Sequence, residues 1–334
     1  MLISTMTVPT IQDLIKKSFI QGIKKEAGAV RKMFHPESQD WSTNKKRIQE
    51  FDRERLAEQK VEGQASAQRG LAEGYYKELT RKTISITRKV SGEAYLGLKA
   101  HKLAENVTAV AEDIIDKIEL DMRNFIGLGF AVSYTDNGGF TVDTTVGDGL
   151  ALFSTAHTLK NSSTTYSNIL SGAPAFSEDS MESAEDYFAY NVMDNYGKRQ
   201  TIKPNTIITA DKATMKNRVI RLLKSISPEQ IEGSTNSNAN VKNTYGDKYQ
   251  HLVVEFDVTA LDATSTGLSY YWFLASLGGN PRKSFQAYYV KWLSPMVAPA
   301  EIDQDAWVLS YTARSAYAIG AVSGKGILAV KATA

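Results

Sequence analysis

Asp148, Ser154 and His157 lie in one short run and supply the residue types of an acyl-transfer triad. In such a site the histidine takes a proton from the serine hydroxyl while the carboxylate orients the ring. That chemistry places the serine on a sharp strand-to-helix turn, spelled Gly-x-Ser-x-Gly. The run Asp148-Gly-Leu-Ala-Leu-Phe-Ser-Thr-Ala-His157 has no such elbow. A hydrolase using Ser154 and His157 is therefore the weaker reading. The stronger one is that these two side chains hold the backbone of a turn by hydrogen bonds. A second run, Gly320-Ala-Val-Ser-Gly-Lys-Gly326, mimics a phosphate-binding loop. Its spacing is wrong, no Ser or Thr follows Lys325, and little chain remains for the required helix. The four histidines, His35, His101, His157 and His251, show no ligand-pair spacing. The chain has no cysteine, which excludes disulfides, thiol nucleophiles and thiolate metal sites. The expectation is no catalytic residue, no metal and no cofactor.

The elements that must position these residues follow from composition and periodicity. With 334 residues the chain can build a substantial core. Its net charge is +2, with Lys and Arg concentrated in the N-terminal region and scarce in residues 136–200. No apolar run approaches the ~20 residues that cross a bilayer. Met1-Leu-Ile-Ser-Thr has no basic region followed by an apolar one, so the reading is a protein that stays in the cytoplasm where it is made. The pattern is that of an α+β protein. Ile11, Leu14, Ile15, Phe19, Ile23, Ala27 and Val30 predict an amphipathic helix over 10–34, with Lys16, Lys17, Lys24, Lys25, Arg31 and Lys32 on its other face. Basic faces are usually only solvated; contact with nucleic acid or an acidic neighbour is the sharper reading.

Residues 52–62 are charged and nearly without large apolar side chains, and 63–74 are small, polar and glycine-rich. Residues 80–90 alternate as a strand does. Such a segment buries little surface by itself, so it is either a disordered linker or an extended hairpin ordered by neighbours. Leu103, Val107, Val110, Ile114, Ile118, Met122 and Phe125 predict a long helix over 97–127. A β-hairpin over 130–143 is expected, with Asn137-Gly138 supplying positive φ at its turn. Then come a Ser/Thr/Asn loop over 160–172, a helix over 177–195 capped by Ser177 or Ser180, a buried strand within 201–210 and a helix over 212–225. A Ser/Asn-rich loop over 233–246 precedes strands over 251–256, 270–274, 285–293 and 306–319. The aromatic run Tyr270-Tyr-Trp-Phe273 reads as sheet core rather than a base-stacking platform.

The run from Asp148 to His157, with Tyr166-Ser-Asn168 downstream, resembles a run found in the major capsid proteins of tailed bacteriophages, particularly the Mu-like head subunits. Thr158 stands where those proteins usually carry proline. The segment Asp305–Val322 resembles the family's closing aromatic strand, with Gly320 matching one glycine of its Tyr-Gly-x-Gly-Val ending and Ala318 replacing the other. The resemblance implies the Hong Kong 97-like capsid fold. Residues 1–50 would be an N-terminal arm and 51–91 an extended loop. Residues 92–196 and 285–334 would form a peripheral domain whose spine is the long helix, and 197–284 an axial domain. The implied function is a structural, non-enzymatic shell subunit. It would assemble into the hexamers and pentamers of an icosahedral head around double-stranded DNA.

Partners implied are other copies of the chain, a portal protein, and separate scaffolding or decoration proteins. Contact with packaged DNA would be nonspecific and salt-sensitive. The implied location is the virion, after assembly in the bacterial cytoplasm. An encapsulin-like nanocompartment subunit, enclosing cargo enzymes, is the alternative of the same fold. Some relatives join a Lys to an Asn between subunits, and no motif here assigns such a pair. On this reading the extended loop and N-terminal helix order only in assembly, and proteolysis of free subunits cuts first between Gly63 and Gly74.

Overall fold

The computed structural model describes residues 8–24, 28–52, 72–91, 100–172, 174–224, 244–246, 248–256, 270–278, 283–299, 301–303 and 308–332. Its main sheet has the order β1 (Phe34–Ser38), β12 (Gln286–Val297), β14 (Val308–Ser323), β13 (Glu301–Asp303), with β4 (Lys82–Ser91) also on β14. β1 runs parallel to β12; the other pairs are antiparallel. A second sheet has the order β10 (Gln250–Val254), β9 (Thr206–Ala210), β11 (Trp272–Ala275), β15 (Ile327–Val330). Three two-stranded ribbons complete the strands: β2 (Lys45–Asp52) with β3 (Ala72–Thr80), β5 (Ser133–Thr135) with β6 (Thr141–Asp143), and β7 (His157–Leu159) with β8 (Ser162–Tyr166).

Strand periodicity decides what covers each face. On β14, Leu309, Tyr311, Ala313, Tyr317 and Ala321 point into the main core. Ala316, Ala318 and Val322 point the other way and meet Val290 and Trp292 of β12. Helices α1 (Val8–Ile23) and α2 (Ala100–Gly127) contribute to the main core. The 28 residues of α2 make a rod of about 42 Å, and its stripe from Leu103 to Phe125 is buried. The opposite face of β14 takes the root of the β2–β3 ribbon through Ile48 and Leu79. Gly320 makes that seat possible, because a Cβ there would overlap Leu79 Cδ2. In the second sheet Ile208, Phe273, Ile327 and Ala329 face the main core. Ile207, Trp272, Leu274, Leu328 and Val330 face helices α3 (Glu178–Tyr190) and α4 (Ala213–Lys224). This sheet is covered on both sides, which is why its strands read as continuous apolar runs rather than alternating ones.

Several sequence expectations change. The helix foreseen over 10–34 ends at Ile23; Ala29–Met33 form a 3₁₀ turn, and Phe34 starts a strand held by β12. Backbone pairing with β12 overrides helical spacing there. Within the chain, Ile15 and Phe19 of α1 are buried in the core shared with α2. The loop foreseen over 160–172 instead contains β8, because Ser and Thr satisfy a ribbon edge as readily as a loop. In the β5–β6 turn the positive φ falls on Gly139 (φ 79°), not Gly138, since the Asp136 side chain caps the turn and moves the strained position along by one. Helix α3 stops at Tyr190 rather than 195, although Ser177 caps it as expected, through Ser180. Residues 53–71, which fall within the expected extended loop, and 225–243, which include most of the run expected as a Ser/Asn-rich loop, lie outside the described residues.

Candidate functional site

Two buried polar clusters tie the elements together. The first is the run resembling the capsid sequence. Asp148 accepts from the Leu150 amide (2.9 Å) on Oδ1, and from His157 Nδ1 (2.8 Å) and the Thr158 amide (3.2 Å) on Oδ2. His157 Nε2 lies 3.2 Å from the Leu152 carbonyl. Each ring nitrogen thus faces an oxygen of its own. The ring is fully buried and stacks on Tyr166 at 5.0 Å. Burial opposes ionisation of Asp148, but the His157 bond, the two amides and the attraction of the ring outweigh it and hold the carboxyl below its ordinary range.

Asn168 finishes this knot. Its Oδ1 accepts from the Ser154 amide (2.9 Å), and its Nδ2 donates to the carbonyls of Leu152 (2.8 Å) and Gly324 (3.2 Å). Its own carbonyl accepts from the Ala329 amide of β15 (2.9 Å). One asparagine thus joins the 148–157 turn to the β14–β15 turn and to β15. The fold brings Asp148 and His157 together and leaves Ser154 apart. The hydroxyl of Ser154 accepts from the Ala156 amide (3.3 Å), while Nε2, the atom that would take a serine proton, is committed to Leu152. The geometry gives hydrolysis no support and matches a backbone-holding role for both residues.

The second cluster pins β4. Lys82 reaches Asp136 Oδ2 (2.6 Å) at the β5–β6 turn and Asp121 Oδ2 (3.0 Å) on α2. Lys117 adds a contact to Asp121 Oδ1 (2.8 Å), and the Tyr317 hydroxyl of β14 donates to Asp121 Oδ2 (2.5 Å). Four elements therefore meet on two buried carboxylates. Burial depresses the Lys82 pKa, yet its bonds to Asp136 and Asp121 reverse the sign and raise it. Burial and the Asp121 charge push the Tyr317 hydroxyl well up. Sequence reading missed Asp121 and Asp136. The available signal was a carboxylate four residues after Lys117, on the helix side that faces the sheet. Glu119, also on α2, is buried, accepts from the Gly28 amide (2.8 Å) and pairs with Arg31 (3.0 Å).

Among the described residues Ile20, Val132, Phe140, Ile220 and Met296 are exposed apolar side chains. Along α1, Lys16, Lys17 and Lys24 are exposed, as are Arg218, Arg221 and Lys224 on α4. Among the described residues, no group of His, Asp and Glu is arranged to hold a metal ion, and no helix is long and apolar enough to cross a membrane.

No protein-family model matches this chain, and no curated protein does. Solved structures do. The mature capsid of bacteriophage PhiM1 aligns over 92% of this chain and 88% of its own, with 10% identity and a TM-score of 0.53. A structure from Microbacterium phage Oxtober96 aligns over 92% of both chains, with 11% identity and a TM-score of 0.50.

Proposed function

We propose, from the premise that this chain has the Hong Kong 97-like fold of tailed-phage capsids, that it is the major capsid protein of such a phage. The observation that carries the reading is the match to a mature phage capsid over 92% of this chain and 88% of that one. The Mu-like subtype rests on the 148–168 sequence alone. Its physical logic is that of a tile. Among the described residues β4 pairs only with β14, so its other edge is open, and open edges invite pairing with another chain. Head-to-tail contacts of this kind close into rings when the rotation closes. Obligate contacts of that sort bury on the order of 2,000–5,000 Å².

On this proposal residues 1–50 form the arm and 51–91 the extended loop. Residues 92–196 with 285–334 form the peripheral domain, and 197–284 the axial one. The pairing of β15 with β11 stitches the last residues of the peripheral part into the axial sheet. The role is structural rather than enzymatic. Portal, scaffolding and decoration proteins would be its partners and the virion its place, after assembly in the host cytoplasm. The exposed basic residues of α1 and α4 are the candidate contacts to packaged DNA. Electron microscopy of the expressed chain tests the proposal. Closed icosahedral shells are expected. A monodisperse monomer at high concentration overturns it, and shells that enclose a protein cargo instead of DNA favour the nanocompartment alternative.

A further inference from the structure

A groove of about 580 Å³ runs between α1, α2 and the β1–β12 edge of the main sheet. Small-molecule sites span roughly 300–1,000 Å³. α1 lines it with Ile20 and Ile23, α2 with Ile115 and Met122, and the strands with Phe34 and Tyr289. Strand register sets part of the floor. Phe34 pairs with Ala287 and Pro36 with Tyr289, so alternate residues of both strands turn to one side. Phe34, Ile115 and Met122 are at most 6% exposed, while Ile20 stands 53% exposed at the lip. The rim carries charge of one sign: Lys24 just after α1, Arg31 on the 3₁₀ turn and Lys291 on β12. Glu119 answers Arg31 alone (3.0 Å) and is held by the Gly28 amide besides. Among the described residues, no Asp or Glu lines the groove and none pairs with Lys24 or Lys291.

An apolar trough with cations at its mouth complements a molecule with an apolar tail and an anionic head. Other ligand classes match only half of it. A phosphate group would meet the cations but has no alkyl surface to bury on Ile115 and Met122. A cationic amphiphile has the tail but is repelled at the rim. We propose that this groove binds one single-chain fatty acid, with its carboxylate on Lys24 and Lys291 and its acyl chain along the apolar floor. The lysine stems are long and flexible, so their ammonium groups can meet a carboxylate while their methylenes cover the top of the chain. Met122, unbranched and polarisable, adapts to an alkyl chain better than a β-branched residue does. Arg31, fixed by Glu119, adds positive potential without having to move. The bound acyl chain ties α1 to β12 through space that side chains of this molecule leave open. The site is independent of the shell reading.

Isothermal titration calorimetry of the purified full chain with sodium dodecanoate tests it. One molecule per chain is expected, with a Kd on the order of 10–100 μM. Butanoate has the same head with almost no tail, and dodecyltrimethylammonium has the same tail with the opposite charge. Each should bind at least about tenfold more weakly. The Lys24→Met, Lys291→Met double variant keeps much of each stem and removes the charge, and it should weaken dodecanoate about tenfold. Four results overturn the proposal. They are no binding of dodecanoate, as a second copy seated in the groove would cause; uptake of many molecules without saturation, as in detergent adsorption; equal affinity for dodecyltrimethylammonium; and undiminished binding by the double variant. Lys24 is exposed and Lys291 half-buried, so the variant should fold. The three probes on the wild-type chain decide the matter even if it does not.

Discussion

Replacing Asp136 by asparagine tests whether the Lys82 cluster stabilises the fold through charge. Asp136 Oδ1 accepts from the amides of Gly138 (2.9 Å) and Phe140 (3.0 Å), and Oδ2 from Lys82 (2.6 Å). Its side chain is 2% exposed, so solvent screens little. Burial by itself raises the carboxyl pKa, but Lys82 and the two amides bring it down to about 2 from the ordinary 3.8. That gap corresponds to about 2.5 kcal/mol. The sign follows from the direction. A depressed carboxyl stabilises the folded state above pH ~4, and the contribution is lost as the pH falls toward 2. The substituted asparagine would still accept from the turn amides through its carboxamide oxygen, but it would set an uncharged NH₂ against Lys82. Urea unfolding of the unassembled subunit is the assay, with wild type and Asp136→Asn compared at about pH 6 and about pH 2.5. The expected difference is about 2.5 kcal/mol at the higher pH and roughly a third of that at the lower. A difference of the same size at both values would refute the reasoning, because it would place the cost in packing. No difference at pH 6 would refute it as well.

Gly320→Ala should cost about 1–3 kcal/mol, since its Cβ overlaps Leu79; in a Leu79→Val background urea unfolding should show most of that loss recovered. His157→Leu removes the partner of buried Asp148 and should cost about 3–5 kcal/mol, read as a lower unfolding midpoint or loss of soluble protein. Ser154→Ala breaks only one bond, to the Ala156 amide, and should cost less than about 1 kcal/mol with unchanged particles by electron microscopy. Loss of particles in that variant would reopen the question of what the hydroxyl does.

The legible parts of the molecule were those whose cause is local. The α2 stripe follows from apolar residues three and four apart. The cap at Ser177 follows from a hydroxyl placed before an amphipathic run. The aromatic strand β14 follows from strand propensity. The backbone-holding role of His157 was also legible, because the run lacks the elbow that a nucleophile needs. β1 was illegible: Phe34-His-Pro-Glu-Ser38 has no alternation of its own and becomes a strand only because β12 offers it an edge.

The candidate chemistry divides along the same line. Residue order alone settled that cysteine chemistry is excluded, that α and β elements are mixed, and that the 148–168 run is unusual. It could not show that Lys24, Arg31 and Lys291 rim one apolar groove, or that Asp121 and Asp136 converge on Lys82. Helix and strand periods report which face of a segment is apolar, information carried by neighbours in the chain. A buried charge is tolerated only where groups far apart in sequence close on it, and that closure is a property of packing in three dimensions.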